Sequence, residues 1–457
     1  MINRKHILLI ALVRALNTFS IITFEHPDEC YQSQEIAHAD IFGRGYRSWE
    51  WTTSNPIRGP LYILLFYPPY LICKLLDIQN PNIVALAPRI LQVCILTLFD
   101  VFFIKWATKK SGIGSVNLWM IMLYTTQFSI DSFARTYINT TEAAFFMISL
   151  YFWEKGDDYE NVSLFFIGLN FTLRITSVAI WPWFGLARFW KSRNKLRMII
   201  KYLISFAIMV GASIIVDSLY HKRFTCSFVN FVRFNFLSNK ADIFGVQHFT
   251  WYLDTAIPRM DGYWLIFAIL GLWLLKKNIM IDLMANASEI LLLSTVGHKE
   301  VRFLAKQLPF LILLSGVGVW RCWQIVKKRN LYKLLFLALF SIICSYHVLG
   351  AYKDLRVHWR GSVEVMEYIR NQEDIKAVGM IGPFLGHPGI SFLHRQVALI
   401  FSLDSMKYPL QSLEYFIRES QRYILIYQPS LSQEVLQVLE GNGYKSVIKT
   451  DWTLFAR

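Results

Sequence analysis

Apolar stretches close to the roughly 20 residues that one helical bilayer crossing requires recur along most of the chain, and they limit its fold more than any other feature. They run over 7–24, 60–77, 84–104, 114–130, 138–154, 162–190 (one or two passes), 198–216, 260–275, 279–296, 303–320 and 331–350. This predicts a polytopic α-helical membrane protein with about 10–12 transmembrane helices. Of the 457 residues, 54% are hydrophobic and only 17% charged, too little charge to cover a soluble surface of that size. Residues 352–457 differ, with mixed polarity and no spanning run. Short strands over 375–384 and 422–429 and helices over 412–420 and 432–441 predict a small C-terminal α/β region there. The expected domains are therefore a transmembrane module, 1–351, and the region 352–457.

The formal net charge of +15 raises nucleic acid as a partner, but the basic residues sit in short clusters between apolar runs. Arg4 and Lys5, Lys191 to Arg197, Lys276 and Lys277, and Lys327 to Arg329 follow the positive-inside rule. No Arg/Gly-rich tail or interleaved aromatic platform points to RNA or DNA. With the basic N-terminus in the cytosol, the polar loops 25–59, 217–258 and 297–302 and the C-terminal region face the other, lumenal side. One conflict arises: simple alternation of 60–77 and 84–104 puts Lys105, Lys109 and Lys110 on the lumenal side. Either one of those segments is re-entrant, or 162–190 crosses once. The first apolar segment has no small-residue cleavage site after it and reads as a retained anchor.

The six cysteines have no CxxC spacing, so no metal or redox motif is expected. Cys73, Cys94 and Cys344 lie in apolar runs; Cys30 and Cys226 lie in polar loops, where a disulfide between them is an open reading. Asn139, Asn161, Asn170 and Asn286 match the glycosylation acceptor pattern but sit in or beside apolar runs.

Directly after the first apolar segment come Glu25, His26, Pro27, Asp28 and Glu29. Pro27 suits a first helical position, and Asp28 and Glu29 suit the positive end of a helix dipole, so an acidic helix start on the membrane surface is one reading. The other is a general base beside a lipid headgroup, since a carboxylate at a low-dielectric boundary becomes a better base. Trp49, Glu50 and Trp51 suit either an interfacial aromatic belt or sugar binding. Arg58 suits a phosphate or the lipid headgroups. Arg135 and Glu142, seven apart, would share a helix face and read as an ion pair. Trp251 and Tyr252 follow in the second polar loop. His298, Lys299 and Arg302, next to a span, are placed either to stabilise charge on a phosphate or to bind headgroups nonspecifically. No Walker loop, dinucleotide fingerprint, HExxH or GxSxG is present.

Together these stretches resemble the polytopic mannosyltransferases that use dolichyl-phosphate mannose in the endoplasmic reticulum, the GT-C-type glycosyltransferases of family 22. The matches are His26 to Glu29 with Gln32 and Glu35; Arg135, Thr136, Asn139 and Glu142; Asn230 to Asn235; Gly245, Trp251 and Tyr252; and His298 to Glu300 with Arg302 and Phe303. They cover roughly residues 1–320. Gln32 to His38 and Phe42 to Trp51 look most like members that add the third, α-1,2-linked mannose of the glycosylphosphatidylinositol (GPI) anchor. Members that add the fourth, and the α-1,2 and α-1,6 enzymes of N-glycan assembly, share the skeleton. Cys30 and Tyr31, Ile175 and Gly59 depart from the third-mannose pattern.

The resemblance implies an inverting transfer from a β-linked mannosyl phosphate to a mannosylated GPI precursor, in the endoplasmic reticulum membrane with a lumenal active site and membrane lipids around it. It implies Asp28 as the base, with Glu29 orienting the acceptor or tuning Asp28, and His298, Lys299, Arg302 and Arg58 on the donor phosphate. His26, Gln32, Trp49, Glu50, Trp51, Trp251 and Tyr252 would meet sugar or acceptor. Dolichyl phosphate leaves readily, so no metal and no cofactor is expected. A lipid transporter or scramblase would also have many spans, but predicts paired half-helices and inverted repeats that the sequence lacks. A non-catalytic assembly subunit would not need the acidic loop.

Overall fold

The computed structural model describes residues 2–238, 240–383, 386–395, 397–401 and 407–457. Two compact units emerge, each assembled from separated segments. The larger joins Met1–Thr18, Trp49–Tyr62 and Gln92–Ala351; the smaller joins Phe19–Ser48, Ile63–Leu91 and Tyr352–Arg457.

Apolar stretches of the larger unit form helices, as a backbone without water to bond must. Among the described residues, five helical stretches are long and apolar enough to cross a bilayer: Pro81–Ser111, Lys195–His221, Tyr252–Leu275, Val301–Val326 and Asn330–Asn371. Others are shorter, including Arg4–Phe19, Val116–Tyr124 and Met280–Ser294. The 162–190 stretch is two helices, Glu160–Leu173 and Trp181–Lys191. The first ends at Arg174, whose backbone is extended (φ −148°, ψ 115°), and Pro182 sits in the opening turn of the second.

Ion pairs show which helix ends meet. Lys110 Nζ lies 2.8 Å from Glu154 and 2.7 Å from Asp282. Arg188 lies 3.0 Å from Glu160, which also pairs with Lys201. Glu160 begins one helix and Arg188 is near the end of the next, so 162–190 goes out and returns to the side it started from. Lys110 thereby joins the same end of the bundle as Lys191 to Arg197 and the loop after Lys277. The conflict over Lys105 to Lys110 is resolved at 60–77. That stretch is a 3₁₀ turn, Ile63–Phe66, followed by the Tyr67–Leu75 helix. At 1.5 Å per residue it spans roughly 20 Å, short of the roughly 30 Å of hydrocarbon.

Arg14 shows how a charge inside the bundle is paired, as its desolvation demands. Arg14, fully buried, donates through Nε and Nη2 to Asp100 at 2.7 Å each and through Nη1 to the Ser129 carbonyl at 2.7 Å. The tightest crossing is between the Leu265–Leu275 and Leu308–Val326 helices. A Cβ on Gly271 would stand 1.9 Å from the Leu314 carbonyl oxygen, and one on Gly318 2.1 Å from that of Phe267. Small residues let the two backbones touch.

The smaller unit carries a five-stranded sheet: β1 (Ala377–Ile381), β2 (Ala398–Phe401), β3 (Tyr423–Tyr427), β4 (Lys445–Lys449) and β5 (Trp452–Ala456). Their spatial order is β2-β1-β3-β5-β4. β1 is parallel to β2 and β3, and β5 is antiparallel to β3 and β4. Alternation along the central strands decides the packing. Val378, Met380 and Leu425 face Val365, Met366 and Ile369 of the Arg360–Asn371 helix. Ile381, Ile424 and Ile426 face Leu413 and Phe416 of Pro409–Arg418 and Val435 and Leu439 of Gln433–Gly441. Covered on both faces, β1 and β3 read as nearly unbroken apolar runs, which is why the sequence reveals them. β2, β4, β5 and the Arg360–Asn371 helix add to the expected elements. The C-terminal region packs in one compact unit with 19–48 and 63–91.

Replacing Gly318 with Leu overpacks the helix crossing, which costs about 1–3 kcal/mol or more. The thermal midpoint of detergent-purified protein is expected to fall by several degrees in Gly318→Leu, while Gly114→Leu, whose Cβ meets nothing within 4 Å, leaves it in place.

Candidate functional site

In the smaller unit, the acidic loop is the start of a continuous helix from Pro27 to Phe42. His26 is extended (φ −153°, ψ 145°), and its Nδ1 accepts the Asp28 N–H at 3.2 Å, capping the helix. Pro27 fills the first position, where an N–H is not needed. The chain then widens into a π turn over Cys30–Gln34 before regular helix resumes at Glu35. Such turns cost hydrogen-bond geometry and are frequent at functional sites. The two candidate carboxylates are placed differently. Asp28's side chain is 24% exposed, with His26 Nδ1 3.7 Å from its Oδ1. Glu29 is buried and lines a cavity. Gln32 is buried as well.

Glu35 is the anchor of this helix. Its Oε1 accepts the N–H groups of Tyr46 at 2.7 Å and Ile390 at 3.0 Å, and its Oε2 that of Ser391 at 2.8 Å. Burial pushes its carboxyl above the usual range, and those N–H groups pull the other way. The contact requires Gly389, because a Cβ there would stand 2.1 Å from Glu35 Oε2. One turn on, His38 Nδ1 meets the Arg44 carbonyl at 2.6 Å and its Nε2 meets His394 Nδ1 at 2.9 Å. With Nδ1–H of His38 donating to Arg44, His38 Nε2 accepts from His394. His387 is buried nearby, with the Tyr31 hydroxyl donating to its carbonyl at 3.3 Å. Burial lowers His38, His387 and His394 to about 4.

The open reading of a Cys30–Cys226 disulfide is corrected: all six cysteines are free. Cys30 is turned into an apolar cluster with Phe24, Tyr31 and Val363, where burial raises its thiol well above the ordinary range.

In the larger unit, residues 49–62, 217–258 and 297–302 are drawn together. His221 Nε2 meets the Arg58 carbonyl at 3.1 Å, and Asn230 donates to the Pro56 carbonyl at 3.0 Å. The Gln247 N–H reaches the Gly297 carbonyl at 2.9 Å. Arg58 is held by Glu50, to which its Nε and Nη2 donate at 2.9 and 2.7 Å. Trp49 is half-buried, stacked on Phe244 (6.3 Å, 17°) and against Phe234. Phe244 in turn packs on His298. Trp51, Trp251 and Tyr252 are buried, and Trp51 packs on Tyr220 and His221.

The three cations at 298–302 are partnered. His298 Nε2 lies 2.9 Å from Glu300 Oε1, and Arg302 Nε pairs with Glu300 Oε2. Arg302 also lies over the rings of Tyr137 (5.0 Å) and Phe303 (5.6 Å). Arg174 lies over Phe303 at 4.7 Å, within the electrostatic reach of Arg58 and Arg302. Lys299 donates to the Gln247 carbonyl at 3.2 Å and to that of Val296. Burial lowers its ammonium, against the pull of Asp242.

The expected Arg135–Glu142 pair is not made. The helix begins at Ile138, so Arg135 precedes it and pairs with Asp131 at 3.2 Å. Glu142 faces Lys306, which is sandwiched between Glu142 and Glu289, and it also lies 3.8 Å from Arg174. Glu300 is the residue that sequence reasoning left without a role. A signal was available in the spacing: His298 and Arg302 stand two positions to either side, and the extended backbone at Glu300 (φ −137°, ψ 149°) lets it hold both.

A model of the Alg9-like mannosyltransferase family matches residues 6–394. Similar sequences include "GPI mannosyltransferase 3" of Yarrowia lipolytica, 28% identical over 86% of this chain and 76% of the relative. "Mannosyltransferase APTG1" of Arabidopsis thaliana is 27% identical over 87% and 77%. "GPI alpha-1,2-mannosyltransferase 3" of Bos taurus is 28% identical over 86% and 73%. Among solved structures, ArnT from Cupriavidus metallidurans bound to undecaprenyl phosphate superposes with a TM-score of 0.64 at 10% identity, covering 98% of this chain and 97% of that one. The fold is that of the GT-C-type membrane glycosyltransferases.

The buried histidines set a pH dependence. An unfolded histidine takes up a proton near pH 6.5, whereas these take one up only near 4. Between those values the unfolded chain binds more protons, so stability is complete above about pH 6.5 and is lost as pH falls toward 4. Thermal midpoints measured from about pH 7.5 to 4.5 are expected to drop, and to drop less steeply in His394→Leu. An equal slope in the variant removes His394 from that account.

Proposed function

The chain belongs to the Alg9-like mannosyltransferase family, and on that footing we propose that it transfers mannose from dolichyl-phosphate mannose to a lipid-linked GPI-anchor precursor, adding the third, α-1,2-linked mannose. The acceptor assignment draws on relatives from a yeast, a plant and a mammal that cover most of the chain, two of them named "GPI mannosyltransferase 3" and "GPI alpha-1,2-mannosyltransferase 3". The proposed setting is the endoplasmic reticulum membrane, with the acidic helix and the 298–302 cations on the lumenal side, opposite the basic helix ends.

The observation that carries the base assignment is the contrast between Asp28 and Glu29. Asp28 is the partly exposed carboxylate, at the positive end of a capped helix; Glu29 is buried. In the proposed reaction the acceptor's 2-hydroxyl attacks C1 of the donor mannose from the face opposite the phosphate. Asp28 takes the hydroxyl proton, the C1–O bond forms, and the bond to the phosphate oxygen breaks with its electron pair. The demands are those of an inverting displacement. The leaving dolichyl phosphate needs cations rather than an acid. His298 and Arg302, gathered on Glu300, and Lys299 are assigned that role, with Arg58 beside Arg174 as a further pair. No metal or cofactor enters this scheme. Trp49, the half-buried indole of the aromatic set, is the assigned sugar platform.

Asp28→Asn is expected to lower transfer at least about a hundredfold, the scale of a lost general base, in membranes supplied with labelled donor and a two-mannose anchor precursor. Normal expression with retained transfer would remove Asp28 as the base. A product formed only on an N-glycan precursor would overturn the acceptor. Arg302→Gln is expected to raise the donor KM and lower kcat, whereas Arg302→Lys recovers part of both.

A further inference from the structure

The smaller unit contains a cavity of about 280 Å³, walled by residues 19–24, the first turns of the Pro81–Ser111 helix, the Arg360–Asn371 helix and residues 388–392. Glu29, the neighbour of Asp28, forms part of its wall. Its charged lining is balanced, with Glu29, Glu364 and Glu367 against Arg89, Arg360 and Arg370. Much of that charge is engaged across the wall. Arg360 lies 2.6 Å from Glu364 and Arg370 3.8 Å from Glu367. Arg370 Nη2 donates to Asn82 at 2.8 Å, and Arg89 Nη1 donates to the Ile21 carbonyl at 2.8 Å. Arg370's side chain is 6% exposed, and its buried Nε–H has no acceptor among the described residues.

This chemistry selects a ligand class. A net-neutral wall does not concentrate a free anion. Carboxylates and guanidiniums side by side accept from and donate to the vicinal hydroxyls of a sugar. The volume lies near the lower end of the roughly 300–1,000 Å³ of small-ligand sites, room for about one or two hexose rings and not for a lipid. Among the lining residues, Phe19 and Leu86 are 42% and 39% exposed, apolar groups suited to the lipid end of a glycolipid.

We infer that this cavity binds the inner sugars of the acceptor glycolipid, which presents its terminal mannose to Asp28. The inference rests on the proposed mannosyl transfer. Glu29 then acts as a positioning residue: it fixes the acceptor from the cavity side while Asp28 takes the proton.

Ala85 lines the cavity and is half-buried, so Ala85→Trp fills space without removing a polar contact. Glu367, whose side chain is 49% exposed, gives a milder second variant, Glu367→Gln. Both are compared with wild type as full-length protein in lipid nanodiscs, with dolichyl-phosphate mannose and a two-mannose anchor precursor. The expected result is an acceptor KM raised at least tenfold in Ala85→Trp and severalfold in Glu367→Gln, with donor KM and kcat within twofold. If Ala85→Trp shows a lowered thermal midpoint, Glu367→Gln alone decides. An acceptor KM within twofold of wild type, or a loss confined to kcat, overturns the cavity assignment and leaves the proposed reaction standing. Absence of transfer by the wild-type protein overturns the reaction itself, and the cavity assignment with it.

Discussion

The larger unit is organised around one buried ammonium. Lys306, about 1% exposed, sits between Glu142 and Glu289, which are 2% and 0% exposed. Glu289 also accepts from Gln307 at 2.6 Å. Three elements meet there: the Ile138–Lys155 helix, the Met280–Ser294 helix and the 3₁₀ stretch Val301–Gln307. Ion pairs this deep add little net stability over an apolar core, but removing one partner leaves an uncompensated charge and is strongly destabilising. They therefore act chiefly as register devices. Lys306 lies four residues beyond Arg302, and Glu142 lies on the helix that follows Tyr137, the ring under Arg302. Fixing one salt-bridged centre thus fixes where the 298–302 cations stand.

Those basic side chains arrive already partnered. Glu300 occupies His298 and Arg302 together, and backbone carbonyls occupy Lys299. Under the proposed reaction, a donor phosphate enters a site that holds its own counter-ion, and it shares or displaces Glu300. Such an arrangement keeps Lys299 and Arg302 close together without a ligand, with Glu300 offsetting part of their mutual repulsion.

Much of this was legible in the sequence, and the misses have physical causes. The helices follow from apolar length, and the central strands from unbroken apolar runs. β4 was hidden because four of its five residues are exposed and its composition is polar. Residues 60–77 resembled a span because hydropathy does not register the 3₁₀ turn or the Pro68–Pro69 restart that shortens the helix. Arg135 and Glu142 were paired by assuming that the helix began three residues too early. Asp28 and Glu29 were indistinguishable as neighbours in a string. They differ because adjacent residues on a helix point about 100° apart, so one reaches solvent while the other faces a cavity.

The π turn over Cys30–Gln34 bears on how this segment tolerates change over evolutionary time. In regular helix, residues seven apart return to nearly the same side. Widening five residues to a π turn withholds roughly a quarter turn between Asp28 and Glu35, so the two carboxylates look in different directions. Glu35 can then stay locked onto the backbone of 390–391 while Asp28 stays outside that lock. Closing the π turn to ordinary helix at unchanged length would merge their faces, at the expense of one role or the other. Variation within 28–35 therefore has either to keep the widened turn or to lose one residue with it, since six residues of ordinary helix also hold the two faces apart.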